Sequence, residues 1–328
     1  MSDIRNKIVA LKNYMDSKII GQEYLVKKLI ISLLADGHAL VEGAPGLAKT
    51  KAIKTLAECI DVNYKRIQFT PDLLPSDITG SDIYVSQKGE FEFRKGPIIS
   101  NLVLADEINR SPAKVQSALL EAMAERQVSV GGESYKLPKI FMVMATQNPV
   151  EHEGTYNLPE AQLDRFLLYI KIDQPSADVE KKILKLVRQE VKDSSEVLGF
   201  DMEQENFVKV TQEDILKARR EVLDVHMSDA MEEYLVQLVV ATRHPEKYNS
   251  KLEGKILYGA SPRATIALDR CVRINAWLDG RDFVTPEDVH AVVYDIIRHR
   301  IILSFEAIAE GYSADDVITD LIKAVPLP

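Results

Sequence analysis

One stretch of the chain constrains its fold more than any other: Val41-Glu42-Gly43-Ala44-Pro45-Gly46-Leu47-Ala48-Lys49-Thr50. It is a glycine-punctuated turn between an apolar run and a helix-like segment, and it reads as a phosphate cradle. The general template is Gly, four residues, then Gly-Lys-Ser/Thr. Backbone N–H groups wrap the phosphates, the lysine reaches the outer ones and the hydroxyl holds Mg²⁺. Gly43, Lys49 and Thr50 fall in register, whereas Ala48 stands where the template has its second glycine. His38-Ala39-Leu40-Val41-Glu42 predicts a central strand feeding the turn, and residues 51–60 predict the helix that leaves it. A helix N-terminus aimed at the loop adds free N–H groups and a positive dipole end.

A second chemical motif follows. Asn101-Leu102-Val103-Leu104-Ala105-Asp106-Glu107 is an apolar strand ending in two carboxylates. Ligands of a parallel α/β sheet sit at the carboxyl ends of its strands, beside the phosphates. There Asp106 can hold Mg²⁺ through water, and Glu107 can orient or deprotonate an attacking water. Taken singly, the segment is equally a buried strand with an acidic exit turn and a helix cap. Residues 139–146 predict another buried strand, closed by Gln147-Asn148-Pro149. The Asn148 amide can bond a γ-phosphate or a water, or simply form the turn before Pro149. Arg165, after a short helix at 158–163, is by itself a solvated helix end. Ser261-Pro262-Arg263 joins a cap, a first-turn proline and a cation that opposes the helix dipole, which implies another partner for that cation.

The remaining segments organise around these motifs. Ile4, Ile8, Leu11 and Met15 recur at helical spacing, Ile19-Ile20-Gly21-Gln22 breaks the pattern, and a second helix runs through Leu25, Leu29, Ile30 and Leu33. Residues 64–69 alternate as a strand. Residues 82–86 and 90–94 form a hairpin across Gln87-Lys88-Gly89, and residues 128–137 form a second around Gly131-Gly132. The first hairpin is either a substrate-contacting finger or a surface decoration. Ser111-Pro112 reads as a cap and first-turn proline opening a helix to about residue 126. Past Pro175 the pattern changes to amphipathic helices without apolar strands, at 177–190, 212–225, 229–242, 263–278 and 287–297. The polar segment 191–206 is the best linker, which divides the chain into 1–192 and 193–328. Thr285-Pro286-Glu287-Asp288 is capping grammar with a structural role.

Length and composition exclude several classes. With 328 residues, 46% hydrophobic and 28% charged, the chain can bury a large core and spans about two domains. Its net charge of −9 argues against a nucleic-acid surface built on bulk positive charge. No segment approaches the length needed to span a bilayer, so no membrane insertion and a cytoplasmic location are expected. Cys59 and Cys271 stand alone and read as buried small hydrophobes in a reducing compartment. His152, between Glu151 and Glu153, reads as a solvated loop rather than a metal ligand.

Five segments match one pattern at once. Gly43-Ala44-Pro45-Gly46-Leu47-Ala48-Lys49-Thr50, Asp106-Glu107-Ile108-Asn109-Arg110-Ser111-Pro112, Ala145-Thr146-Gln147-Asn148-Pro149, Leu158-Pro159-Glu160-Ala161-Gln162-Leu163-Asp164-Arg165-Phe166 and Gly259-Ala260-Ser261-Pro262-Arg263-Ala264 closely resemble the MoxR family of AAA+ ATPases. The resemblance runs from Ile20 to about Arg300, and Ala48 is usual for that family. It implies an α/β AAA+ P-loop NTPase core, a parallel sheet flanked by helices with two hairpin insertions, followed by an all-α lid. The hairpins resemble the insertions that place this family near the helix-2-insert group.

The same resemblance implies ATP and Mg²⁺ as cofactors. It puts Ile20 and Gly21 near the adenine and Gly43, Ala44, Pro45, Gly46, Leu47, Ala48, Lys49 and Thr50 on the phosphates, with Thr50 and Asp106 on the metal. Glu107 is then the residue that polarises water and Asn148 is sensor 1. Arg263 is sensor 2, reaching from the lid to the γ-phosphate, and Arg165 is an arginine finger for a neighbour's site. The implied assembly is a ring, usually of six subunits, that works with a von Willebrand factor A domain protein on a protein client whose cofactor or metal centre is being installed. A nucleotide-gated scaffold with slow timer hydrolysis and a magnesium-chelatase-like motor subunit are the alternatives.

Overall fold

In chain order, α1 (Asp3–Lys18) and α2 (Glu23–Leu34) precede β1 (Ala39–Glu42), α3 (Lys49–Cys59), β2 (Tyr64–Gln68), α4 (Pro75–Thr79), β3 (Gly80–Val85), β4 (Glu90–Lys95) and β5 (Leu102–Asp106). Then follow α5 (Ala113–Glu125), β6 (Gln127–Val130), β7 (Glu133–Lys136), β8 (Met142–Gln147), α6 (Glu160–Leu163), β9 (Leu168–Lys171) and α7 (Ala177–Asp193). The last third holds α8 (Gln212–Leu223), α9 (Asp229–Arg243), β10 (Ile256–Tyr258), α10 (Pro262–Leu278), α11 (Pro286–Ile297), β11 (Ile302–Leu303), α12 (Phe305–Ala309) and α13 (Ala314–Ala324). The computed structural model describes residues 2–149, 154–193 and 209–328. His152 with its flanking glutamates, and the segment read as a linker from residue 194 onward, lie outside the described residues.

Strands β2, β5, β8, β1 and β9 form, in that order, a five-stranded sheet whose pairings are all parallel. Their alternation sorts the core into two layers. Ala39 and Val41 of β1, Leu102 and Leu104 of β5, and Met142 and Met144 of β8 enter one cluster with α1, α2 and α3. Leu40, Val103, Ala105, Val143 and Ala145 enter the other, covered by Val115, Leu119 and Met123 of α5. Strands buried on both faces must be apolar throughout, which is the pattern of these strands. The first cluster continues without a break into α8 to α11, so the helical region shares a core with the sheet's helices. Among the charged groups there, Lys28 of α2 meets Asp295 of α11 at 2.8 Å with both side chains buried.

Three expectations change. The helical region carries a two-stranded pair, β10 with β11, and two further helices, α12 and α13. β10 and β11 are too short to show alternation. The start of α13 is marked by a capping box at Ser313 and Asp316. Helix α5 starts at Ala113 without a side-chain cap, and the Ser111 hydroxyl instead donates to Ile108 O. Helix α7 extends to Asp193, into the segment read as a linker.

Two buried histidines tie stability to pH. His38 Nδ1 accepts the Val143 N–H at 3.0 Å, so that nitrogen carries no proton in the folded state. Burial, then the nearby Arg126, pushes His38 down to about 4. His299 is lowered well below its usual value by burial and by Arg300. A histidine with a depressed folded pKa contributes full stability above the unfolded value near 6.5 and loses it as pH falls toward the folded value. His38 alone is expected to remove about 3 kcal/mol by pH 4. Urea midpoints should therefore fall from pH 7 to pH 5, and less steeply in His38→Gln. Equal slopes in the two proteins would refute this origin.

Candidate functional site

The loop after β1 owes its shape to two left-handed residues, Gly46 at φ 84° and Ala48 at φ 56°. The second explains the general preference for glycine at that place, since a Cβ there costs about 1–2 kcal/mol. This chain accepts the cost with the smallest side chain that has one. Gly43 is tight for a different reason: a Cβ on it would lie 3.1 Å from the Ile172 carbonyl. Helix α3 starts at Lys49, directly after the loop, and points its N-terminal N–H groups at the same space.

The carboxyl edge of the sheet brings the expected residues together. A cavity of about 350 Å³ is lined by residues 45–50 of the loop, by Asp106 and Glu107 after β5, and by Thr146 and Asn148 at the end of β8. Lys49 Nζ donates to the Gly43 carbonyl at 2.6 Å, which folds the lysine over its own loop. Burial lowers the Lys49 pKa, while Asp106, Glu107 and Glu42 oppose that shift. Asp106 Oδ1 accepts the Thr146 hydroxyl at 2.6 Å, and Thr146 Oγ1 in turn accepts the Glu107 N–H at 2.9 Å. Glu107 itself sits at φ 57°, so this hydrogen bond holds a backbone conformation unusual for a non-glycine residue.

Several residues at this edge were not picked out from the sequence. Arg66 of β2 donates to Asp106 Oδ2 through Nη2 at 2.7 Å and Nε at 3.1 Å. Gln68, two residues on, donates to Glu107 Oε2 at 2.8 Å, while Arg110 Nε lies 3.3 Å from the same oxygen. The alternation of β2 puts Arg66 and Gln68 on one face, but only the pairing of β2 with β5 makes that face meet the acids. Beside the loop's base, Gln147 Nε2 donates to Glu42 Oε2 at 3.0 Å and to the Tyr169 hydroxyl at 2.7 Å.

Ile20 and Gly21 do not line that cavity. Gly21, at φ 79°, packs against Val179 of α7, where a Cβ would meet Val179 Cγ1 at 2.2 Å. Helix α7 then borders the loop's outer side: Glu180, Ile183, Leu184 and Val187 share a cavity of about 520 Å³ with residues 44–47.

Arg165 and Arg263 lie elsewhere, and together. They open on a cavity of about 290 Å³ that is also lined by Asp36, Gly37 and His38 ahead of β1 and by Leu167 ahead of β9. This is the amino edge of the sheet. The four residues of β1 separate it from the phosphate loop by about 13 Å of strand. Arg126, Arg270 and Arg300 line the same cavity, so five guanidinium groups face the carboxylates of Asp36 and Asp164. Arg165 Nη1 donates to Leu120 O at 2.6 Å, and Arg263 Nη1 lies 3.4 Å from Asp164 Oδ2. Ser261 caps α10 by accepting the Arg263 N–H at 3.3 Å, as its sequence predicts.

Residues 38–168 match the model of the ATPase family associated with various cellular activities (AAA), and residues 252–321 match the AAA lid domain. The chain is 42% identical over 311 residues to Chaperone MoxR1 of Mycobacterium tuberculosis, covering 94% of this chain and 79% of that one. It is 43% identical to protein YeaC of Bacillus subtilis, covering 96% of this chain and 93% of that one. Protein MoxR of Methylorubrum extorquens is 30% identical, with 99% and 95% covered. A crystal structure from Cytophaga hutchinsonii superposes with a TM-score of 0.88 at 46% identity, covering 99% of this chain and 96% of that one. The chain belongs to the MoxR family of AAA+ ATPases and hydrolyses ATP.

Proposed function

We propose that this ATPase is the motor of a ring, six subunits by family likeness, that remodels or matures a protein client in the cytoplasm. The observation that carries this reading is the separation of two half-sites on opposite edges of one sheet. The carboxyl edge has a phosphate loop, two acids and an amide but no free arginine, among the described residues lining its cavity. The amino edge has arginines and no phosphate loop. Each half is complete only against the other half of a neighbouring copy. Arg263 therefore serves the neighbour's nucleotide alongside Arg165, because some 13 Å of β1 lies between it and its own loop.

Within one subunit, Lys49 and the loop N–H groups hold the phosphates, Asn148 fixes the γ-phosphate or the water, and Glu107 takes the water's proton. Mg²⁺ fits the donor set: it takes hard oxygen ligands and keeps several waters, and the Thr50 hydroxyl and Asp106 carboxylate open on one cavity. When bound, it would neutralise charge on the β- and γ-phosphate oxygens. Arg66 already balances the Asp106 charge and must share that carboxylate with the metal. EDTA is expected to abolish turnover and Mg²⁺ to restore it. We assign residues 1–192 to the ATPase core and 193–328 to the lid.

A relative's name, Chaperone MoxR1, supports the client role. The family resemblance adds a von Willebrand factor A domain partner and installation of a cofactor or metal centre. Glu107→Gln used as bait in the native cell should retain its client with MgATP and release it with ADP. The isolated client should then speed turnover of the wild-type ring and be changed by it. A client that binds but leaves turnover unaltered would favour a nucleotide-gated scaffold.

A further inference from the structure

We propose that Arg300 and Asp164 are positioning residues that fasten the lid to the finger segment, so that Arg165 and Arg263 meet the neighbour's nucleotide as one rigid unit. This rests on the trans roles proposed above for those two arginines.

Arg300 follows α11 and its side chain is only 3% exposed. Its guanidinium is spent on the residues that flank Arg165. Nε donates to Asp164 Oδ1 at 2.8 Å, Nη2 to Phe166 O at 2.7 Å and Nη1 to Leu167 O at 3.2 Å. Nη1 also donates to Ile296 O, which anchors the side chain to its own helix end. The two preceding residues act on the same strip of chain. His299 Nε2 lies 3.0 Å from Phe166 O, and Arg298 Nη1 donates to Tyr169 O at 2.8 Å.

Asp164 completes the joint from the other side. Its Oδ1 takes Arg300, while Oδ2 faces Arg263 Nη1 at 3.4 Å and the Ser261 hydroxyl at 3.5 Å. One carboxylate, carried by the residue before the finger, thus touches the residues at the end of α11 and at the start of α10. The Leu167 N–H donates to His38 O at 2.8 Å and the Phe166 ring is buried, so residues 166–167 are already held; the freedom left is in how Asp164 and Arg165 are turned relative to the lid. Displacing a reacting partner by about 1 Å can cost on the order of 10²-fold in rate. A buried guanidinium fork bonding both sides of Arg165 removes that freedom, and lysine cannot reproduce the fork.

A purely structural staple would also look like this, so the test must separate positioning from folding. Full-length Arg300→Lys and Asp164→Asn would be assayed for assembly, nucleotide affinity, kcat and KM, alone and mixed with Glu107→Gln. Arg300→Lys is expected to assemble, to keep KM for ATP within about twofold, and to lose about 10- to 100-fold in kcat. Asp164→Asn, whose side chain is partly exposed, should lose on the order of 10-fold and carries the test if Arg300→Lys does not assemble. Because the mutants' own phosphate loops stay intact, Glu107→Gln subunits supplying a sound finger should restore their turnover. Both variants turning over within threefold of wild type would overturn the proposal. So would lack of recovery with Glu107→Gln when an Arg165→Ala and Glu107→Gln mixture does recover. If that last mixture also fails, the trans reading itself falls.

Discussion

Glu107→Gln is expected to bind MgATP as tightly as wild type, within about twofold, and to turn it over on the order of 10²–10⁴ times more slowly. Glutamine is nearly isosteric and can accept the Gln68 amide donor that now reaches Glu107 Oε2. Its backbone can keep the left-handed turn, because the N–H bond to Thr146 Oγ1 does not involve the side chain. What it loses is a group able to take the proton of a water in the cavity it shares with Thr50, Asp106 and Asn148. The proposed nucleotide contacts, Lys49 and the loop, are left alone by the substitution. Equilibrium binding of a fluorescent ATP analogue and steady-state phosphate release measure the two quantities. Normal turnover would refute the assignment of Glu107.

The carboxyl edge of the sheet was legible because its signals are local. A strand, a glycine turn and a helix start stand consecutively in residues 38–60, and an apolar strand announces Asp106 and Glu107 at its own end. Ala48 was legible as a departure from the general template that is usual in the family; its left-handed φ gives the reason for the template. Arg66 and Gln68 escaped notice because their meaning depends on strand order. The sheet runs β2-β5-β8-β1-β9, and nothing in the periodicity of β2 says that β5 is its neighbour. The same limit applied to Arg263. Its cap, proline and opposing charge marked a cation waiting for a partner, but the edge of the sheet it would face is decided by how α10 packs. That packing runs chiefly through α11, then through α9, α2, α1 and α8, and through the Asp164 and Arg300 pair far apart in sequence.

Arg165→Ala is expected to lower kcat of the assembled enzyme by about 10³–10⁵, the range an arginine supplied in trans contributes in other NTPases. Among the described residues the Arg165 side chain makes one hydrogen bond, to the Leu120 carbonyl, and the residue is exposed. Stability should therefore change by less than about 1 kcal/mol, which thermal unfolding would verify. The loss should instead belong to the neighbour. In a ring built from one repeated heterologous contact, a subunit's loop is served by the next subunit's finger. Arg165→Ala and Glu107→Gln are each expected to turn over slowly alone, yet a mixed ring would contain interfaces where an intact loop meets an intact finger. Random equal mixing makes roughly one quarter of interfaces competent. Recovery toward about a quarter of wild-type rate is the expected result, and it should depend on exchange of subunits before assay. No recovery in rings confirmed to contain both proteins would mean that Arg165 acts within its own chain or on no nucleotide. A finger acting within the chain would have to cross the sheet from its amino edge, against the placement of both cavities.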